Sequence, residues 1–266
     1  MVKGLYSSWA GMLNEQNRMD ILSNNMANAN TVGFKKEGTT VHPFQEELAL
    51  RIKDKNTPRY ADPLGYIYPG VKIGENYTDY SQGPFNVTDN ATELALSGNG
   101  FFAIEFTNKQ GQASVKFTRD GEFHLTTDGY LVTADGDYVL NRNAALAGAT
   151  GAGGYIRLDP TAAITIDEIG NIYQNDTLVA QLGVVDIDNY DYISKYGENL
   201  YDLVDGGNIQ ASNAQVVQGA LEMSNVQVVS EMVELITITR AYETNQKAIQ
   251  TIDGMLEKAV NNVGRL

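Results

Sequence analysis

Apolar positions recur every seven residues at the two ends of this 266-residue chain and every second residue between them. Leu5, Met12, Met19 and Met26 form the first series, widened by Trp9, Leu13 and Leu22, and the spacing predicts a helix from about Lys3 to Ala29. Asn24, Asn25, Asn28 and Asn30, followed by Gly33, are expected to end it by supplying capping or left-handed residues. The second series is longer. From Val226 to Val263 there is no proline and a single glycine, Gly254. Val228, Leu235, Tyr242, Ile249, Leu256 and Val263 repeat without a break, with Ile238, Ile252 and Ala259 three residues after members of the series. Polar Glu231 and Asn245 occupy the matching slots, which is the a/d layout of a coiled-coil seam. Ser224 and Gln227 are spaced as a capping box at its start. A helix over this span would reach roughly 55 Å, too long to bury on a small globule, so it requires a partner.

Between the ends the period falls to two. Asp120-Gly121, Asp128-Gly129 and Asp135-Gly136 punctuate short alternating segments such as Glu122–Leu125 and Tyr130–Val132, and predict a meander closed by primed two-residue turns. Further strands are expected at Phe101–Phe106, Ile164–Ile166, Ile169–Tyr173 and Leu178–Ile187, with a flexible loop at Ala147–Gly154. Residues 43–75 carry Pro43, Pro58, Pro63 and Pro69 with little periodicity. The expected architecture is α+β. Long N- and C-terminal helices pair as a coiled coil, the first over residues 1–30 and the second following a return segment within 211–266; an extended connector covers 31–75, and a central all-β domain covers 76–210.

Charge sharpens this division. The net charge is −14, of which residues 41–210 hold −13, while residues 1–40 carry +1 and 211–266 carry −2. An acidic middle repels nucleic acid and anionic lipid and leaves near-neutral ends free to associate. The chain has no cysteine, which excludes disulfides, thiol nucleophiles and cysteine metal sites. No run approaches the roughly 18 apolar residues of a membrane span. Met1–Asp20 carries Glu15, Arg18 and Asp20 and does not read as a cleavable signal, so any export is expected to proceed without one.

Candidate chemistry is thin. Asp186-Ile187-Asp188-Asn189-Tyr190-Asp191 starts like a calcium loop but fails at Tyr190, Asp191 and Gly197. Gly98–Ala103 fits the G-x-G-x-x-A dinucleotide pattern, yet Phe101–Phe106 reads as a strand where phosphate binding needs a helix N-terminus. His42 and His124 have no nucleophile motif near them, and Asp167-Glu168 would point to opposite faces of a strand. No catalytic, cofactor or metal residues are expected.

The ends carry more than periodicity. Ser23-Asn24-Asn25-Met26-Ala27-Asn28-Ala29-Asn30-Thr31-Val32-Gly33-Phe34-Lys35 resembles the N-terminal signature of bacterial flagellar rod and hook proteins. Glu222, Ser224-Asn225-Val226, Glu231-Met232, Arg240-Ala241-Tyr242-Glu243, Asn245 and Met255-Leu256 resemble the C-terminal signature of that family. Leu96–Phe102 and Phe117–Phe123 resemble its central motifs. The length is similar to rod subunits with a single β domain. The resemblance implies a non-enzymatic subunit of the basal-body rod that transmits torque, polymerises helically with itself and with other rod or hook proteins, and passes the flagellar type III export apparatus to lie outside the cytoplasmic membrane. It implies no nucleic acid, small-molecule substrate or membrane insertion. Its seam would comprise Leu5, Met12, Met19, Met26, Val228, Leu235, Tyr242, Ile249 and Leu256. Its motif residues would be Asn24, Asn25, Asn28, Asn30, Gly33, Phe34, Arg240, Tyr242 and Asn245. The residues alone also accommodate a secreted β-domain binding module oligomerised by its helices, and the family also includes hook-type proteins.

Overall fold

The computed structural model describes residues 2–52 and 61–264, so Pro58 of the expected connector and the side chain of Val263 lie outside the described residues. The chain forms two compact units. One gathers Met1–Ala27, Lys36–Asp79 and Val226–Leu266; the other gathers Asn28–Lys35 and Tyr80–Asn225.

In the first unit the N-terminal helix spans Val2–Ala27 and the C-terminal helix Val228–Lys258, continued by a π-helical turn over Ala259–Val263. They run antiparallel and meet at seven-residue intervals. Gly4 faces Ile252, Gly11 faces Asn245, and Asn25 reaches Glu231. Arg18 bridges to Glu234 at 3.0 Å in the layer between. A Cβ on Gly11 would stand 2.9 Å from Asn245 Nδ2, so the missing side chain is what lets the backbones approach. The C-terminal helix begins about one turn later than a cap at Ser224 would place it. Gln227 is the N-cap and makes no side-chain cap bond, and Ser224 is buried one turn earlier. The exposed first-turn N–H groups are instead complemented by Glu231, whose negative charge suits a helix N-terminus.

Where the sequence predicts an extended connector, the chain pairs with itself. Glu37–Pro43 lies antiparallel to Val71–Thr78, and Glu47–Ile52 to Ala61–Ile67, making one long two-stranded ribbon. Phe44 N donates to Gly70 O between the two stretches. The prolines hide this pairing from the sequence because they sit where the ladder tolerates them, Pro43 at a strand end and Pro63 beside a register shift.

The second unit is built around Phe101–Thr107, whose successive side chains enter two cores. Phe102 and Ile104 pack with Leu94, Phe123, Ile156 and Ile172, while Phe101 and Ala103 pack with Phe117, Leu140 and Tyr201. A strand buried on both faces reads as a continuous apolar run, which explains the Phe101–Ile104 sequence. Ala113–Thr118 pairs along one edge of this strand, and Tyr138–Val139 and Val184–Ile187 share the other. The predicted segment Leu178–Ile187 is thus two strands. Thr177–Gln181 stays with Asn171–Gln174, and the chain leaves at Gly183, which bonds to Leu140 and Ala103, to join the central strand.

The Asp-Gly turns differ from expectation. At Asp128-Gly129 and Asp135-Gly136 only the glycine has positive φ (85° and 95°). Thr126 N bonds to Tyr130 O and Thr133 N to Asp137 O, which makes three-residue loops with one left-handed glycine. Thr126 and Thr133 brace the longer loop by accepting from Tyr130 N and Asp137 N through their hydroxyls. Asp120-Gly121 closes no hairpin; Gly121 O accepts from Leu94 N, an approach that leaves no room for a side chain. The primed turns fall elsewhere, at Asn175-Asp176 (φ 49° and 59°) and Glu198-Asn199 (φ 51° and 61°).

Candidate functional site

Four separate sequence motifs meet at one carboxylate in the β unit. Glu222 ends the strand Ala220–Glu222, which pairs with Phe85–Val87, and its side chain is fully buried. Oε1 accepts from Lys35 Nζ at 2.6 Å and from Gly83 N at 2.9 Å; Oε2 accepts from Arg119 Nη1 at 3.1 Å. Lys35 Nζ also donates to Ser81 O at 2.8 Å, and Arg119 Nη2 to Gly98 O at 2.8 Å. Lys35 and Arg119 are no more than 2% exposed, so all three charges have left water. Such a cluster adds little net stability over an apolar one, but losing any member strands the others uncompensated.

The loop carrying Lys35 is locked to the same place. Gly33 N donates to Glu222 O at 2.7 Å, and Asn199 Nδ2 donates to Val32 O at 2.6 Å. Gly33 has φ +67°, and a Cβ there would lie 2.5 Å from the Arg119 carbonyl carbon and the Asp120 nitrogen. Glycine is required on both counts. Phe34 is buried under the Lys195 ammonium, 4.3 Å from its ring centroid. Next to Arg119, burial pushes the Asp120 carboxyl up to about 6, against the Glu122 amide that holds it down.

The helical unit has its own carboxylate anchor. Asn25, fully buried in the last turns of the N-terminal helix, donates to Glu37 O at 2.8 Å and accepts from Glu37 N at 3.0 Å. Its amide thereby imitates a strand neighbour for the start of the ribbon. Asn25 Nδ2 also reaches Glu231 Oε2 at 3.4 Å, and Lys36 Nζ contacts Glu231 Oε1. Partial burial draws the Lys36 ammonium down, but the hydrogen bond and charge of Glu231 outweigh it and hold the pKa above the ordinary lysine value. Consecutive lysines, 35 and 36, thus anchor different units, each on a glutamate of the C-terminal signature.

The motif asparagines act otherwise than by backbone conformation. The N-terminal helix ends at Ala27, and from Asn24 to Gly33 only Gly33 takes positive φ. Asn25 is the buried anchor, half-buried Asn28 accepts from the Thr31 hydroxyl at 3.2 Å, and Asn24 and Asn30 are exposed. Of the predicted seam, Leu5, Met12, Met19, Met26, Leu235, Tyr242, Ile249 and Leu256 are half-buried, and Val228 is exposed. The line of closest approach runs one residue ahead of the methionines, through Gly4, Gly11 and Asn25. Asn245 lies on that line and Arg240 is exposed. Ile238 and Glu231 are the two buried side chains of the C-terminal helix.

In the sequence Lys35, Arg119 and Glu222 stand within motifs without a role of their own, and Glu231 counts only as a polar slot of the seven-residue repeat. Their signal is a charged residue inside an otherwise apolar or turn-forming run, and it becomes legible only once partners 103 to 206 residues apart are joined. What the arrangement does is mechanical. Charged groups this enclosed, bonded to one another and to backbone, fix chain segments in place. Gly98–Gly100 leads into a strand, not a helix, so it does not present amides as a phosphate site would.

Comparison with known proteins agrees with this reading. Residues 5–35 match the family described as flagella basal body rod protein, 95–187 the flagellar hook protein FlgE/F/G D1 domain, and 207–262 the flagellar basal body rod FlgEFG protein C-terminal family. The chain is 32% identical over 268 residues to the flagellar basal-body rod protein FlgF of Caulobacter vibrioides, with both chains covered completely. It is 32% identical over 275 residues to the flagellar basal-body rod protein FlgG of Bacillus subtilis, covering 98% of this chain and 99% of the relative. It is also 31% identical over 281 residues to the flagellar hook-basal body complex protein FlhO of Bacillus subtilis, with full coverage of both. The three matched segments hold the N-terminal helix and Lys35, the central strand and Arg119, and Glu222 with the C-terminal helix. This chain belongs to the flagellar basal-body rod protein family, whose members are structural components and not enzymes.

Proposed function

We propose that this protein is a rod subunit that polymerises helically through its two terminal helices, paired as a coiled coil, and transmits torque along the rod. Its partners are copies of itself and other rod or hook proteins. It reaches its place outside the cytoplasmic membrane through the flagellar type III export apparatus. The observation that carries this reading is the seven-residue ladder of antiparallel contacts, whose apolar flanks are only half buried in the single chain. Burying those flanks against neighbours supplies the driving force that the isolated helix pair lacks. The β unit serves as a prefolded outer body that needs no assembly to close its own core. In the described residues, no helix is long and apolar enough to cross a membrane.

Leu235→Asp tests the reading in cells and in vitro. It should abolish rod formation and motility while the β unit keeps its fold, because a buried unpaired charge costs several kcal/mol. Normal rods from the variant would sink the seam assignment.

A further inference from the structure

The β unit brings its first and last strands together. Phe85–Val87 pairs with Ala220–Glu222 and Leu94–Ser97 with Gln215–Gln218, each as a two-stranded sheet, so the opening strands of the unit take their strand partners from its close. Leu94 and Leu96 share a core with Val216 and with Phe102 and Ile104 of the central strand. The same late segment closes the early loops. Gly219 O accepts from Thr88 N and Asp89 N, and Gly219 N donates to Glu93 O. The Gln218 side chain donates to Ala91 O and Ile164 O and accepts from Ile166 N.

Charge is distributed along the chain in the same order. Lys35 and Arg119 come 187 and 103 residues before the carboxylate they share. Arg119 directly follows Ala113–Thr118, the strand that forms a hairpin with Phe101–Thr107. Contacts between segments close in sequence ordinarily form first. Seating this hairpin, however, puts the Arg119 guanidinium over the Phe101 ring, 5.3 Å from its centroid, where the residue is 2% exposed. Its Nε has no hydrogen-bond partner there, so Glu222 and Gly98 O hold the group through its other two nitrogens. Until Glu222 arrives, burying the hairpin and the Lys35 loop leaves two cations directed at one site without their counter-charge, which an enclosed environment penalises heavily.

We infer that Glu222 is a completion latch: the β unit closes its core only once its last strand delivers this carboxylate, and the portions of the unit that precede it in the chain stay open until then. Strand pairing and charge act in the same direction, because the segment that supplies the carboxylate also supplies the partners of Phe85–Val87 and Leu94–Ser97. A chain that appears N-terminus first presents both cations and the opening strands well before Glu222, so the local hairpin is not consolidated ahead of the rest. In a chain leaving a channel in that direction, the latch keeps the emerging part open until nearly all of the unit is through. That use rests on the export proposed above; the latch itself rests on the geometry of the cluster.

Refolding of the full-length protein from urea, followed by pulse-labelled hydrogen exchange, tests the latch. Amides of Phe101–Thr107 should gain protection together with those of Ala220–Glu222, in one phase. Glu222→Gln keeps the shape and removes the charge, and should slow that phase about tenfold or more. The triple variant Lys35→Met/Arg119→Met/Glu222→Leu removes every charge of the cluster, and should let the central strand gain protection ahead of Ala220–Glu222. Protection of Phe101–Thr107 before Ala220–Glu222 in the unmodified chain would overturn the inference, and that result can be read even if Glu222→Gln does not fold. So would a Glu222→Gln chain that refolds at the unmodified rate and only unfolds faster, as expected of a group that merely stabilises the finished fold. A triple variant in which both strands still rise together would assign the delay to strand order alone and remove the latch. None of these measurements involves export or assembly, so a chain found never to leave the cytoplasm would cancel the proposed function and leave the latch standing.

Discussion

Each unit hangs on a buried glutamate that faces a lysine, yet the two anchors differ in what surrounds them. Around Glu222 every partner is enclosed, and most of the apolar core of the protein packs nearby in the β unit. Around Glu231 the partner Lys36 is one-third exposed, and among the described residues Ala10, Ile21, Leu22, Val226 and Ile238 are the buried apolar side chains of that unit. The first anchor can only be kept or broken. The second can exchange its bond for water at modest cost, which suits the repacking against neighbours proposed for this unit.

The largest expected effect tests this contrast at its stronger side. Glu222→Ala leaves Lys35 and Arg119 as two buried cations without a carboxylate, and should destabilise the β unit by about 3–5 kcal/mol in urea unfolding. A loss below about 1 kcal/mol would mean that water or a rearrangement replaces the carboxylate, and the contrast would collapse. Gly33→Ala comes next. It adds a strained backbone conformation and a clash with the Arg119–Asp120 peptide, for a loss of about 2 kcal/mol or more by the same measurement. Glu231→Ala should cost only about 1–2 kcal/mol, because Lys36 can turn to solvent and Asn25 retains both bonds to Glu37. Equal losses at Glu222 and Glu231 would contradict the distinction between the anchors.

The smallest effect is a difference in pH response. The Asp120 carboxyl is raised to about 6 by burial, so between pH 6 and its unfolded value near 4 the folded state binds more protons than the unfolded one. Stability of the β unit should therefore rise, by about 1–3 kcal/mol, as pH falls from 7 toward 4.5. Asp137, also raised to about 6 by burial, adds to the same trend. Asp120→Asn should flatten the rise. Lys36 acts at the other extreme. Its contribution to the helical unit is complete below the unfolded lysine value and is lost only as pH climbs through the higher folded one. A β unit that weakened steadily from pH 7 to 5 would refute the assignment for Asp120.

What the sequence revealed of this molecule follows the range of each interaction. The helices were legible because a seven-residue repeat is local and redundant; losing one member, as with exposed Val228, leaves the series readable. The central strand was legible because Phe101–Ile104 is buried on both faces. Turn types were not, because the choice between a primed turn and a three-residue loop depended on hydroxyls such as Thr126 and on Asn175 and Glu198 adopting positive φ without glycine. The ribbon was hidden by prolines placed at tolerated positions. The anchors were least legible of all. Nothing periodic links Lys35 to Arg119 or to Glu222, and only folding brings four motifs to one carboxylate. The resemblance marked those segments as important, and the geometry supplies the physical reason.

The central claim is that the β unit is complete in the free subunit while the terminal helices gain their order from neighbours. Hydrogen exchange on the full-length protein, before and after assembly, tests it most directly. The account predicts that strands such as Phe101–Thr107 and Ala220–Glu222 are equally protected in both states, and that the amides of Val2–Ala27 and Val228–Lys258 become protected mainly on assembly. Helices as well protected in the monomer as in the assembly would contradict it.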